Sequence, residues 1–386
     1  MTDLSSPLAA VLARIRTAAA SGRPLRIRGS GSKDFYGQSL QGEVLETREL
    51  LGVLSYEPSE LVVTVASGTP LAQLEATLAE QGQCLAFEPP HFGPAATVGG
   101  MVAAGLAGPA RASVGGVRDF VLGAELINGQ GEILTFGGQV MKNVAGYDVS
   151  RALAGSLGTL GLITQVSLKV LPFAPAEATL AMPGLSQQDA LDLLHRWGGQ
   201  PLPLSASAWV HDAHAEPGEP TLYVRLRGAR AAVEAALPRL RQEAQARGAQ
   251  TQQTDAAADW RASAEHQIPF LRQAPHAQAC LWRLSVPQTT PALSWPGALG
   301  APYVEWHGGQ RWVWAPASAA QGLRQAVQQV GGHASLFRVS AAGGDADRAV
   351  GVFHPLDPVQ ARLQTAVKRA FDPHGVFGPG RDYPSP

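Results

Sequence analysis

Hydrophobic positions along this chain change period repeatedly, and each change predicts an element. Leu8, Val11, Leu12 and Ile15 recur on one helical face between Ser6-Pro7 and Gly22, which predicts an amphipathic N-terminal helix. Pro24–Arg28 reads as a short strand running into Gly29-Ser30-Gly31-Ser32-Lys33. Leu61–Ala66 is a β-branched strand. A helix follows from Gly68-Thr69-Pro70, with Leu71, Leu74 and Leu78 on one face and Gly82 at its end. Cys84–Phe87 is the next strand, so this stretch predicts an α/β unit. Thr97 is placed to cap a helix that carries Gly99 and Gly100 in its first turn. Asp119–Ile127 and Glu132–Phe136 flank Asn128-Gly129 and predict a β-hairpin. Leu162–Val170 is an apolar strand.

Beyond Pro172 the order changes, with Pro172-Phe-Ala-Pro-Ala as punctuation. A strand from Ala178, a helix over 187–197, strands over 205–210 and 222–226 and a helix over 230–246 form one run. A strand over 279–286, a hairpin 303–306/311–314, a helix over 317–330 and a strand over 335–339 form a second. Helices against an antiparallel sheet are α+β logic. The predicted bounds are therefore a first domain over 1–172, a smaller α+β domain over 173–342, and a C-terminal segment, 343–386, with an amphipathic helix over 357–371.

Composition narrows the function classes. With 386 residues, 45% hydrophobic and 16% charged, the chain is globular and long enough for two domains. A net charge of −1 supplies no basic field for nucleic acid. Cys84 and Cys280 are the only cysteines; they suit a reducing cytosol and cannot supply the four ligands of an iron–sulfur cluster. Arg14 and Arg16 interrupt the apolar N-terminal stretch, which is unlike a signal peptide, and 98–110 is too short to span a bilayer.

Three glycine-rich loops remain, at 28–33, 97–108 and 155–161, each beside a strand or helix start. Glycine lets main-chain N–H groups approach a bulky ligand and permits positive φ. The first loop has the makings of a phosphate nest, though it fits neither the Walker A nor the GxGxxG spacing. The N-terminus of the second is suited to an anion. Each loop has a plain structural reading too: a Gly-Ser turn, close helix packing, and a tight helix-to-strand connection. Three in order argue for an extended dinucleotide held largely by main chain.

The motifs RGSGSK (28–33), TVGGMVAAG (97–105), RDFVLG (118–123), KNVAGYD (142–148) and GSLGTLGLIT (155–164) resemble the FAD-binding domain of the vanillyl-alcohol-oxidase superfamily, p-cresol methylhydroxylase (PCMH) type. The tail FDPHGVFGPGR (371–381) resembles that family's closing segment, and the chain as a whole resembles the FAD-binding subunits of glycolate oxidases. The resemblance implies a two-subdomain FAD domain, a smaller α+β cap, and a C-terminal segment that returns to the FAD domain. It assigns Arg28, Gly29, Ser30, Gly31, Ser32 and Lys33 to the pyrophosphate. Thr97, Val98, Gly99, Gly100 and Gly105 go to the diphosphate and ribityl chain. Gly155, Ser156, Gly158, Thr159, Gly161, Leu162 and Ile163 go to the adenosine and ring edge. The implied FAD is noncovalent.

The resemblance also implies a larger homologous flavoprotein subunit and an iron–sulfur subunit as partners, a cytoplasmic location with membrane association through the complex, and a small 2-hydroxy acid as substrate. The histidine- and acid-rich motif of the larger subunits, HxGDGNxH, is missing; Gly331-Gly332-His333 and Gly343-Gly344-Asp345 are its faintest echoes. His211 and His214 share one ligand spacing without a third partner, so no metal is expected. Oxidising a hydroxy acid needs a base and a cation for the carboxylate. Tyr147, His307 and Arg311 are the candidates, and the tryptophans around the last two read equally as a domain or subunit contact. Two other functions stay open: an autonomous D-2-hydroxy-acid dehydrogenase, and a structural partner whose flavin never turns over.

Overall fold

A computed structural model describes residues 5–138, 148–211, 218–295 and 299–383. The chain forms two compact units. The first comprises 1–107, 115–173 and 355–386; the second comprises 108–114 and 174–354. The break after Phe173 lies one residue from the expected bound at 172. Residues 343–354, grouped above with the tail, belong to the second unit, as does the short insertion 108–114.

In the first unit the N-terminal helix Ser5–Ser21 buries Val11, Ile15 and Ala18. It packs on a small layer in which β1 (Leu25–Arg28) pairs in parallel with β2 (Glu43–Glu46). Leu45, Leu50, Val376 and Phe377 complete this core. The tail is tied in by main chain, with the Leu25 N–H donating to the Val376 carbonyl at 2.6 Å and the Gly378 N–H donating to the Leu25 carbonyl at 2.8 Å.

The second layer is a five-stranded sheet. Its strands are β3 (Val53–Glu57), β4 (Val62–Ala66), β6 (Val121–Ile127), β7 (Ile133–Gly137) and β8 (Leu162–Lys169), ordered β3-β4-β8-β6-β7. Every pairing is antiparallel. The expected α/β unit is therefore corrected. The helix Leu71–Ala79 does connect two strands, but β5 shrinks to Gln83–Cys84 and pairs with β9 (Leu171–Pro172), not with the sheet holding β4. The hairpin is present with a longer turn: the Asn128 side-chain oxygen accepts from the N–H groups of Gln130 and Glu132 at 2.9 Å, and Gly131 takes the positive φ. Its first strand starts late, because Asp119 accepts from the Gly116 N–H at 2.8 Å and closes a helical turn over Val117–Phe120.

The second unit is one antiparallel sheet of eight strands: β10 (Ala176–Pro183), β11 (Leu204–Val210), β12 (Thr221–Gly228), β13 (Gln252–Thr254), β14 (Cys280–Ser285), β15 (Tyr303–Glu305), β16 (Gln310–Ala315) and β17 (His333–Arg338). Their order is β13-β10-β12-β11-β15-β16-β14-β17. The two runs read in the sequence are its halves, joined where β11 meets β15. Helices Gln187–Gly198 and Arg230–Gln245 cover the first half through Leu191, Leu194, Trp197, Val233 and Leu240; helix Ala320–Gln328 covers the second through Leu323 and Val327. Mixed helices and antiparallel sheets make the protein α+β, as the sequence predicted.

Candidate functional site

The first unit holds a cavity of about 100 Å³ that is open to solvent. Three distant stretches build most of it, and Gly378 and Arg381 of the tail complete it. Arg26 to Lys33 comes from β1 and the loop after it, Thr97, Gly100, Ala103 and Ala104 come from the helix Val98–Ala104, and Leu157 and Gly158 come from the loop before β8. Gly29 allows the first two to meet, since a Cβ there would run into the Thr97 hydroxyl. The third is fastened along the helix end, where the N–H groups of Gly155 and Leu157 donate to the carbonyls of Val102 and Ala103 at 3.0 and 2.8 Å. Gly158 turns with a φ of +76° and presents no side chain to the cavity.

Cations dominate the lining: Arg26, Arg28, Lys33 and Arg381 against the single carboxylate of Asp34. Most of this charge is already engaged. Arg28 Nε donates to Asp34 at 3.0 Å, and Lys33 Nζ donates to the His91 carbonyl at 3.1 Å. Arg381 donates to the carbonyls of Asp34, Tyr36 and Gln38, so it fastens the tail to the loop. Arg26 differs. Its Nε is buried without a hydrogen-bond partner among the described residues, so the wall holds a donor that the protein leaves unused. The N–H groups of Ser30 and Gly31 likewise find no protein acceptor among the described residues.

Gly99, Gly105 and Gly161 serve packing. The Val98 N–H donates to the Thr69 carbonyl at 3.0 Å, Gly99 to the Ser67 carbonyl at 2.7 Å, and Gly100 to the Thr97 hydroxyl at 3.3 Å. The helix N-terminus expected to receive an anion is therefore satisfied by the protein itself. A Cβ on Gly99 would lie 2.7 Å from Ser67 Cβ, and one on Gly105 2.8 Å from the Gly155 main chain. Gly161 lies against Leu126 and the Ile127 carbonyl. Val98, Gly99, Gly105, Gly155, Ser156, Thr159, Gly161, Leu162 and Ile163 stand behind the lining, and the latter two are buried in β8. Arg26 and Arg381 had no place in the sequence reading. The signal for Arg26 was present, because strand alternation puts it with Arg28 on the face opposite Leu25 and Ile27.

Of the candidate catalytic groups, His307 and Arg311 are not among the lining residues. Tyr147 lies outside the described residues, with most of KNVAGYD, and so does His214. His307 is interior to the second unit, between the Ser113 hydroxyl at 2.9 Å and the Ser207 hydroxyl at 3.0 Å, and burial pushes its pKa down to about 4. Arg311 is fully buried and donates to the carbonyls of Thr290, Pro291 and Gly308 at 2.5, 2.7 and 3.3 Å. Burial lowers its pKa to about 10, and its donors are all directed at main chain. Neither group offers a free base or cation to a substrate. Cys280 is buried, and burial with the Asp347 carboxylate raises its pKa to about 11. Among the described residues no cluster of three or more metal-ligating side chains occurs, and no helix is long and apolar enough to cross a membrane.

Residues 7–137 match a family model described as an FAD binding domain. Over 374 residues the chain is 40% identical to the glycolate oxidase subunit GlcE of Escherichia coli (strain K12), with 97% of each chain covered. It is 32% identical over 185 residues to a D-lactate dehydrogenase of Archaeoglobus fulgidus, covering 47% of this chain and 41% of the relative. A glycolate oxidase subunit GlcD of Bacillus subtilis is 32% identical over 173 residues, 44% of this chain and 36% of that one. Among solved structures an alkyldihydroxyacetonephosphate synthase is similar with a TM-score of 0.64 at 14% identity, covering 95% of this chain and 73% of that chain, which establishes likeness of fold alone.

Proposed function

We propose, from the premise that this chain belongs to the family of the glycolate oxidase subunit GlcE among the PCMH-type FAD-binding flavoproteins, that it is the FAD-bearing subunit of a complex oxidising glycolate and related D-2-hydroxy acids to 2-oxo acids. The protein is a FAD-dependent oxidoreductase acting on CH–OH groups. A larger homologous flavoprotein subunit and an iron–sulfur subunit complete the complex, in the cytoplasm and associated with the membrane through that assembly. An iron–sulfur cluster that receives the electrons belongs to the partner, because two cysteines cannot hold one here.

The observation that carries this reading is the convergence of three separate stretches on one cation-rich cavity that keeps an unused arginine donor. Its chemistry fits a dinucleotide. Arg26, with the main-chain N–H groups of Ser30 and Gly31, takes the diphosphate, and such charge-assisted bonds contribute about 1.5–3 kcal/mol each. Lys33 adds charge beside them. Gly29 lets the first loop close on Thr97, Gly158 keeps a side chain out of the path, and Ala103, Ala104 and Leu157 provide an apolar wall. Bound FAD supplies the acceptor for the two electrons that leave the hydroxy acid's α-carbon.

The purified protein is expected to be yellow, to release its flavin on denaturation, and to take up added FAD after stripping. Anaerobic addition of glycolate or D-lactate is expected to bleach the flavin only when the partner subunits are present. A colourless protein that takes up no FAD overturns the proposal, and rapid bleaching of the isolated chain would make it an autonomous dehydrogenase.

A further inference from the structure

The C-terminal helix Pro358–Phe371 buries none of its side chains. An isolated helix of this length is marginal in water, and most helices owe their stability to an apolar face packed on a neighbour. This one is well begun, with Pro358 in its first turn and the Asp357 carboxylate accepting from the N–H groups of Val359 and Gln360 at 2.8 and 2.9 Å. It is fastened to the first unit at its other end, where Lys368 donates to the Thr159 and Phe377 carbonyls and to Asp372, and Phe371 meets the Phe136 ring. The opposite face is open. Leu363 is 62% exposed, Val359 54% and Val367 40%, and Ala366 and Ala370 are exposed beside them.

The spacing on that face is specific. Val359, Leu363, Ala366 and Ala370 follow one another at intervals of four, three and four, the a/d seam of a helix meant for one other helix. The alanines admit close approach. Arg362 and Arg369, seven residues apart, each precede a seam residue and so occupy equivalent flanking positions. Both are exposed and neither forms an ion pair among the described residues, although many other surface arginines of this protein do. The helix contains no Asp or Glu.

We infer that this face is the docking site for an amphipathic helix of a partner subunit, one with a narrow apolar seam flanked by Asp or Glu opposite Arg362 and Arg369. The inference rests on the proposed multi-subunit complex. A second copy of this chain is a poor occupant, because its own helix carries no acidic residue to set against either arginine. A lipid surface is a poor one too, since interfacial helices carry bulky Trp, Phe or Leu anchors and a strongly basic face, where this seam is half alanine.

The test is co-expression of the full chain with the tagged larger flavoprotein and iron–sulfur subunits, comparing wild type with Val359→Glu/Leu363→Glu and with Arg362→Glu/Arg369→Glu. The substituted positions are exposed, so FAD content and melting temperature of the isolated variants should match wild type. The seam variant is expected to lower the chain recovered with its partners at least tenfold. The charge variant should lower it several-fold, with wild-type recovery falling as salt is raised. Assembly that both variants retain overturns the docking site alone, whereas a wild-type chain that fails to assemble overturns the complex and the site together. Co-sedimentation with vesicles containing phosphatidylserine, lost in the variants while assembly is kept, would assign the face to lipid and overturn the inference.

Discussion

The two units use the same kinds of residue to opposite ends. In the second, Arg311, His307 and Glu305 sit in the interior among hydrogen-bond partners of their own. Arg311 is spent on three carbonyls, His307 lies between two serine hydroxyls, and Glu305 accepts from Gln310 and Trp312 at 2.7 and 2.9 Å while burial raises its pKa. In the first unit the arginines stand around open space, and Arg26 keeps a buried nitrogen with no partner among the described residues. A reactive residue type therefore does not make a site. What distinguishes the cavity is binding capacity that the protein itself has not used.

That contrast can be broken from either side. The largest effect is expected from Arg311→Met, which strands three buried carbonyls; denaturant unfolding should show a loss of about 4 kcal/mol with FAD affinity unchanged. Next is acid. His307 is held near pKa 4 in the fold against 6.5 when exposed, so the unfolded chain binds more protons between those values and stability falls as pH is lowered through them. The window should cost roughly 3 kcal/mol, and His307→Gln should flatten the pH dependence of the melting temperature. In the first unit, Gly29→Val places a side chain against Thr97 and should weaken FAD binding by about 100-fold, whereas Arg26→Gln should weaken it roughly tenfold. Fluorescence titration of the stripped proteins measures both. An Arg26→Gln variant that binds FAD as wild type does would remove the distinction between the units.

Local order was largely legible. The N-terminal helix, the strands at 62–66 and 162–169, the late hairpin and both runs of the second unit were recoverable because period, caps and glycine stops are encoded within a few residues. Strands β2 and β3 were not read. They are short stretches without a clean alternation, and they exist by pairing with β1 and β4. The three glycine loops were recognised as unusual, and the fold does bring them to one cavity.

The sequence by itself determined most of the helices, the strands with a clear period and where side chains are missing, since these depend on neighbours in the chain. Only the tertiary structure decided what each missing side chain is for. Gly29, Gly99, Gly105 and Gly161 admit the protein's own atoms, while Gly158 leaves a cavity wall without a side chain. It also decided which cation is left over, because whether a guanidinium is engaged depends on carbonyls that arrive from remote parts of the chain, as Arg381 and Arg311 illustrate and Arg26 does not.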